Sequence, residues 1–534
     1  MKHFYFSLIF ISFLSLSCTS ENPVIEETLE QETNDLDPPV ISAKSFEIIS
    51  GLKIYDETLL ELDIQDEGSG IARVEVLIDE EKVYETDALT NIKYLLKPEE
   101  LAVGKHKLAL QAFDVNENKA KEEVDFEVIR RFVSLEFPDY FTREGTDEVY
   151  ILLSDSEGNL LSQFRHNDIA ETIDITLERN ITENEEFMLT FVEVFDESLY
   201  DFTVYANLSV STLGKKITFT KRSLPFNYPK FFDFEVPFYN PDFYLRASGD
   251  DYSAVFVHNK FSGHQTQTLP NGEEGAEQLF VQYHNTKALD SYRYGYFENF
   301  HEKTGLLEED LKKDVTHGRY RIKNNRATPA LILWGFEDSE HFNRFSGHMV
   351  YTNYSTPRLI DDDTFFYSYP TDLFSHYLYD IKLSNFNKTG LGKPEIVEVP
   401  QEQVNYNLSS PTSMNFFGID EYELGRLRIS VDGSNPSHMN FVFDGTSTQV
   451  IVPKLPSDII PERIASAFNS GNFNILQGAA EDNETFDTYK DYIKNVFVTS
   501  KPFLLSSPSR KRIFKSSISH QLLPIREFPY NFSL

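Results

Sequence analysis

The chain has a single cysteine, Cys18, and that residue lies directly behind the apolar run from Phe4 to Ser17. One cysteine cannot close an internal disulfide, so whatever folds downstream has to be held by a packed core alone. The run follows a short basic start, Met1-Lys2-His3, and closes on Ser15-Leu16-Ser17, which gives residues 1–17 the three parts of a secretory signal peptide. As a helix it would reach about 21 Å, short of the roughly 30 Å hydrocarbon core, so a stable span is not expected. No later stretch is long and apolar enough to cross a bilayer, and the mature protein is expected to be soluble apart from any attached lipid.

The placement of Cys18 immediately after Ser15-Leu16-Ser17 resembles the lipobox of bacterial lipoproteins. The resemblance implies acylation of the Cys18 thiol and cleavage that leaves Cys18 as the new N-terminus. It departs from the usual pattern at Ser15, where leucine is the rule, with Leu14 and Leu16 on either side. An ordinary signal-peptidase site in front of a free cysteine is the alternative. Between Thr19 and Asp37 the chain carries Glu21, Glu26, Glu27, Glu30, Glu32, Asp35 and Asp37, with no aromatic and no basic residue. Such a segment buries too little surface to offset its ordering entropy, so residues 18–37 are read as a lipidated acidic tether. Acidic residues just after the lipidated cysteine also resemble the export signal of some Gram-negative surface lipoproteins. That implies an exported protein, anchored in the outer membrane and facing outward.

The 85 acidic side chains outnumber the 49 basic ones, a formal charge of −36. A surface that negative repels phosphate backbones, so nucleic acid is excluded as a partner, while loosely held divalent cations are allowed. The 46 Phe and 28 Tyr against one Trp favour strands over long helices.

Residues 38–130 read as a compact β domain. Apolar alternation appears in Leu60-Glu61-Leu62-Asp63-Ile64, in Ile71–Ile78, in Leu108–Phe113 and in Val124–Val128. Within it, Asp66-Glu67-Gly68-Ser69-Gly70-Ile71, Gly104-Lys105-His106 and Ala112-Phe113-Asp114-Val115-Asn116-Glu117-Asn118 resemble bacterial Ig-like, fibronectin-type modules of surface proteins. That resemblance implies an antiparallel sandwich used as a spacer or adhesive unit. Residues 131–223 read as a second β-sandwich, with a strand–turn–strand signature at Asp155-Ser156-Glu157-Gly158-Asn159 and a hairpin expected around Leu213-Gly214-Lys215-Lys216. Residues 224–534 form an aromatic-rich, β-dominated C-terminal region, with room for a split into two subdomains near 354–361. Short helices are expected at Leu306–Val315, Pro461–Phe468 and Glu484–Val496.

No sequence signature marks a catalytic centre: there is no His-Glu-x-x-His, no Gly-x-Ser-x-Gly and no phosphate-binding glycine loop. Catalytic, metal-binding and ligand-binding residues therefore cannot be nominated, and Cys18, as the lipidation site, is the one assigned position. His258 and His264 flank a segment read as a hairpin loop, and solvated loop histidines are favoured over a metal pair. Asp250-Asp251 and Asp361-Asp362-Asp363 are dense in oxygen ligands of the kind calcium takes, yet solvated turns account for them better. Asp114–Asn118 also resembles the calcium-binding linker of cadherins, but a further strand follows it, so a hairpin is favoured. No cofactor is expected, with calcium as the remaining candidate.

Two basic stretches stand out. One holds Lys312, Lys313, Arg319, Arg321, Lys323 and Arg326, and the other Lys501, Arg510, Lys511, Arg512 and Lys515. They fit an anionic polysaccharide, although pairing with the protein's own acids is the expected use. Tyr292, Tyr294, Tyr296 and Trp334 are candidates to stack on sugar rings, with core packing favoured for Trp334. These features point first to a membrane-anchored, surface-exposed lipoprotein that displays a non-catalytic β-rich binding region for a polysaccharide or protein ligand. A glycan-acting hydrolase with unmarked carboxylates in 224–534 and a structural subunit of an outer-membrane assembly are the alternatives.

Overall fold

The computed structural model describes residues 35–42, 49–87, 92–139, 141–142, 146–167, 169–195, 199–219, 231–249, 252–257, 260–265, 278–285, 288–298, 305–325, 327–344, 347–353, 359–361, 363–417, 422–433, 436–499, 508–517, 525–527 and 530–532. The signal segment, Cys18 and most of the acidic tether lie outside these residues. So do the expected boundary at 223/224 and most of the expected split near 354–361. The chain is mainly β, with 56% strand against 9% helix, as the alternating patterns require. It divides into two compact units: Met1–Leu101 with Lys105–Glu127, and Ala102–Gly104 with Val128–Leu534.

The first unit is an antiparallel β-sandwich. A five-stranded sheet runs in the order Lys53–Ile54, Lys119–Val128, Gly104–Asp114, Ile71–Ile78, Glu81–Thr86, and Thr58–Leu62 pairs separately with Ile92–Leu96. Period two decides which side chains go inside. On Ile71–Ile78, Val74, Val76 and Ile78 are buried opposite Ala112, Leu110 and Leu108. Each such aliphatic side chain contributes about 1.5–3 kcal/mol on burial. Asp114–Asn118 turns the chain between two of these strands, with Glu117 in the left-handed region at φ 64°.

The second unit is built on a twelve-stranded sheet. Its order is Leu160–His166, Thr146–Asp155, Phe187–Phe195, Leu199–Leu208, Ser437–Asp444, Leu424–Val431, Asn474–Asn483, Arg510–Ser516, Phe386–Leu391, His376–Lys382, Ala330–Phe336, His348–Asn353. Among the described residues, every strand pairing within it is antiparallel except one. Leu199–Leu208 runs parallel to Ser437–Asp444, with Asp201 opposite His438 and Tyr205 opposite Val442, and this joins segments more than two hundred residues apart in sequence. A three-stranded sheet, Glu171–Leu177, Arg130–Phe137 and Lys216–Thr218, packs with the first four strands as the second sandwich. The hairpin expected at Leu213–Lys216 is absent there. Val210–Leu213 is a helical turn, and Lys216–Thr218 leaves it to pair parallel with Ser134–Glu136, because Gly214 at φ 70° redirects the chain to the opposite sheet.

One face of the long sheet buries Leu152, Val192, Phe202, Met439, Phe441, Leu427 and Ala480 in a single core. The other face starts apolar, with Ile151, Phe191, Tyr205 and Val442 against Tyr489, Tyr492 and Phe497 of the terminal helices. It then turns polar along Arg426, Glu481, Arg512, Asn387, Thr389 and Asp380, all of them buried. Aromatic bulk is accommodated by cross-strand glycines: Phe443 lies over Gly425, Tyr379 over Gly390 and Tyr367 over Gly318.

The expected helices fare unevenly. Glu462–Asn469 is helical, burying Ile464, Ala465 and Phe468. The last expected helix is shorter at its start, an α turn at Tyr489–Tyr492 followed by a π turn at Ile493–Phe497. The segment from Leu306 to Val315 is not an α-helix but one 3-10 turn, Glu308–Asp310. Leu306 and Leu311 are buried in one core cluster while Leu307 is exposed.

Candidate functional site

A four-stranded sheet of the second unit, ordered Leu359–Asp361, Thr364–Pro370, Val315–Lys323, Ile396–Glu398, has one packed face and one open face. The alternation of Val315–Lys323 produces both. Tyr320 and Ile322 point inward and are buried beside Phe365, Tyr367 and Val397 in the main core. The intervening residues, His317, Arg319, Arg321 and Lys323, are exposed on the outer face. Their cross-strand neighbours on that face are Ser368, Phe366 and Thr364 on one side, and Ile396 and Glu398 on the other. Phe366 is half-buried and Ile396 is 61% exposed, so an apolar flank lies on each side of the basic row.

Successive outward residues on a strand stand about 7 Å apart. Two like charges at that distance repel by about 0.6 kcal/mol in water, so a row of three is held at an electrostatic cost. Arg321 offsets part of it through Asp363, Nε to Oδ2 at 2.7 Å, and the Arg321 guanidinium holds the Asp363 carboxyl below its usual range. His317 Nδ1 lies 2.8 Å from the Ser368 hydroxyl. Among the described residues, no ion pair engages Arg319 or Lys323. Two cations without a partner acid among the described residues stand out on a chain with 85 acidic groups. At one end of the sheet, Lys393 places its ammonium 4.4 Å from the Tyr369 ring centre and 4.3 Å from that of Tyr377, between the exposed side chains of Leu391 and Ile396 in sequence.

The two basic stretches therefore have different fates. In the second, Arg510 and Arg512 are buried, Arg512 shares Glu481 with Arg426, and Lys511 pairs with Asp482 at 2.7 Å. Lys501 and Arg326 lie outside the described residues. In the first, Lys312 stands over the Tyr294 ring and Arg321 has its aspartate, while Arg319 and Lys323 face outward. Strand alternation was the signal that separates these outward residues from the rest of the stretch; Phe366 and Ile396 could not be found from sequence, because only the sheet brings them alongside.

Tyr292 and Tyr294 are not sugar-stacking residues, being 2% exposed each; their hydroxyls reach Val350 O and Asp314 Oδ2. Tyr296 and Trp334 are half-buried, Trp334 within the long sheet opposite Leu378. The chain before His264 is strand rather than loop, since Lys260–Gln265 pairs with Tyr252–Val257 and Phe231–Glu235; His258, Asp250, Asp251 and Asp362 lie outside the described residues.

In the first unit Asp35, Asp66 and Asp114 bring carboxylate oxygens within 4.8 Å of one another. The Ser69 amide donates to Asp35 at 2.6 Å and the Gly70 amide to Asp66, while Asn118 donates to Asp114 from its backbone at 2.7 Å and its side chain at 2.8 Å. Burial alone would raise the Asp114 carboxyl, but the Asn118 bonds outweigh it and hold it below its usual range. The backbone amide of Ser69 does the same for Asp35. Three such oxygens are the donor type that a hard divalent cation takes. The sequence pairs Asp66 and Asp114 with neither Asp35 nor each other, and the turns alone assemble them.

No family model matches the chain, and no curated protein matches it. Among solved structures, fibronectin(III)-like modules of Clostridium thermocellum CbhA match 17% of this chain and 94% of their own at 19% identity, with a TM-score of 0.14. SGBP-B of a Bacteroides ovatus mixed-linkage glucan utilisation locus, in complex with a mixed-linkage heptasaccharide, matches 63% of this chain and 93% of its own at 9% identity, TM-score 0.15. A Ca2+-stabilised adhesin with which an Antarctic bacterium binds ice matches 85% and 95% at 9% identity, TM-score 0.15. At such TM-scores these likenesses carry no argument about what this chain binds.

Proposed function

We propose that the chain is an exported surface lipoprotein, anchored in the outer membrane through Cys18 and facing outward, whose β-rich C-terminal region binds a glycan without chemistry of its own. The observation that supports binding is the open outer face of the Val315–Lys323 sheet, where polar side chains alternate with the apolar flanks of Phe366 and Ile396. A pyranose ring has the matching character, with C–H faces for the flanks and hydroxyls for the polar row. A flat face on a sheet suits a long chain polymer better than a small molecule, for which enclosing pockets are the rule. The anchor and the acidic tether carry the export half of the reading. No cofactor takes part; calcium at the Asp35–Asp66–Asp114 cluster would brace the Ig-like module.

Affinity electrophoresis of the mature chain against a panel of neutral and acidic polysaccharides tests binding. Saturable retention by at least one, with its size distribution unchanged, is expected. Shortening of the polymer would replace the binder with a hydrolase, and no retention by any polymer would end the glycan reading. Metabolic labelling with a fatty-acid analogue should mark the wild type and not Cys18→Ala; equal labelling of both would remove the anchor.

A further inference from the structure

We infer that the open face of the Val315–Lys323 sheet selects acidic glycans, chains of uronate sugars whose carboxylates meet Arg319, Arg321 and Lys323. The inference deepens the glycan reading above and rests on it. Three outward cations alternate along one strand, and Arg319 and Lys323 engage no acid among the described residues. Among the described side chains, Asp363 pairs with Arg321 and Glu398 stands opposite Lys323 in the register, while Arg319 lies opposite Phe366. A protein of formal charge −36 places these like charges side by side on an uncovered surface, where an incoming polyanion relieves their repulsion.

The flanks decide between kinds of polyanion. An Arg fork binds a planar carboxylate through two parallel hydrogen bonds. Beside it, Phe366 and Ile396 offer apolar surface that a pyranose C–H face covers and a sulfate or free phosphate does not. A repeating uronate supplies both groups at every sugar. The acidic remainder of the surface repels any polyanion alike, so the preference for a polyuronate over nucleic acid rests on the apolar flanks and not on net charge.

The test uses the full mature chain in affinity electrophoresis against polygalacturonate, its methyl ester, a neutral β-glucan and a single-stranded oligonucleotide. Polygalacturonate should retain the protein, the ester at least tenfold less, and retention should fall as salt is added. Arg319→Ala/Lys323→Ala should weaken retention at least tenfold with Trp334 fluorescence unchanged. Arg319→Lys/Lys323→Arg, which keeps both charges, should restore most of it. Equal retention by acid and ester, wild-type retention of the alanine double variant, or equal retention by the oligonucleotide would overturn the inference. Retention by the β-glucan alone would overturn it while leaving the glycan reading in place; retention by no polysaccharide would remove both.

Discussion

Replacing Glu481 by alanine should be among the most damaging single changes available to the second unit. Glu481 is fully buried; its Oε1 accepts from Arg426 Nε at 2.7 Å, and the carboxylate forms an ion pair with Arg512 Nη2. Arg512 is 2% exposed and Arg426 8%, so the two guanidiniums depend on this carboxylate rather than on bulk water. Burial pushes Arg512 down to about 10, which still leaves it charged at neutral pH. Removing one partner of a buried pair strands the other charge and costs about 3–5 kcal/mol, against a total stability of about 5–15 kcal/mol for a typical domain. Trp334 provides a clean readout, because it is the chain's one tryptophan and lies in the same long sheet. With a urea dependence of about 3 kcal/mol/M or steeper, the tryptophan-detected midpoint should fall by about 1 M. Glu481→Gln keeps the shape and one acceptor, and should lose distinctly less. The pH dependence has a definite sign. Burial alone would raise Glu481, but Arg426, Arg512 and Arg510 hold it below its usual value. Its contribution is therefore present above the unfolded carboxylate value, and is lost as pH falls through the depressed folded one. A Glu481→Ala midpoint within 0.2 M of wild type, taking about 0.6 kcal/mol as the resolvable limit, would refute the reasoning. So would equal losses for Ala and Gln.

Gly425→Ala should cost about 1–3 kcal/mol by overpacking, since a Cβ there would sit 2.0 Å from Phe443 Cε2 in a buried cross-strand pair; the same tryptophan-detected melt measures it, and an unchanged midpoint would mean that the ring can move aside. Glu423 is half-buried, and burial pushes its carboxyl up to about 7. A raised acid stabilises while protonated, so its contribution is full below the unfolded value near 4.5 and is lost as pH rises through 7. Glu423→Gln should accordingly gain about 1 kcal/mol over wild type at pH 8, discounted for solvent screening, and little at pH 5; a gain independent of pH would contradict this. In the first unit the depressed carboxyls of Asp35 and Asp114 should make its stability fall as pH drops below the unfolded value near 3.8. The calorimetric transition that leaves Trp334 fluorescence unchanged should show that slope in wild type and a shallower one in Asp114→Asn.

The sequence by itself determined the strand content and much of the first unit. Val74, Val76 and Ile78 had to share a buried face because a strand alternates at period two, and Asp114–Asn118 had to turn because strands flank it on both sides. It also determined the outward direction of Arg319, Arg321 and Lys323, through the buried Tyr320 and Ile322 between them. Other features were decided only by tertiary structure, because local pattern carries no information about partners. The parallel pairing of Leu199–Leu208 with Ser437–Asp444 joins segments whose own sequences show only that each is a strand. Arg512 and Arg319 both belong to basic runs, yet one meets a buried glutamate and the other meets solvent. Leu306 and Leu311 share helical spacing and enter one core cluster, but the backbone beside them bridges to Glu235 and to Tyr294, which overrode the helix. The open basic face combines both kinds of information: its row of cations is written in one strand, while its apolar flanks arrive from two others through the sheet register.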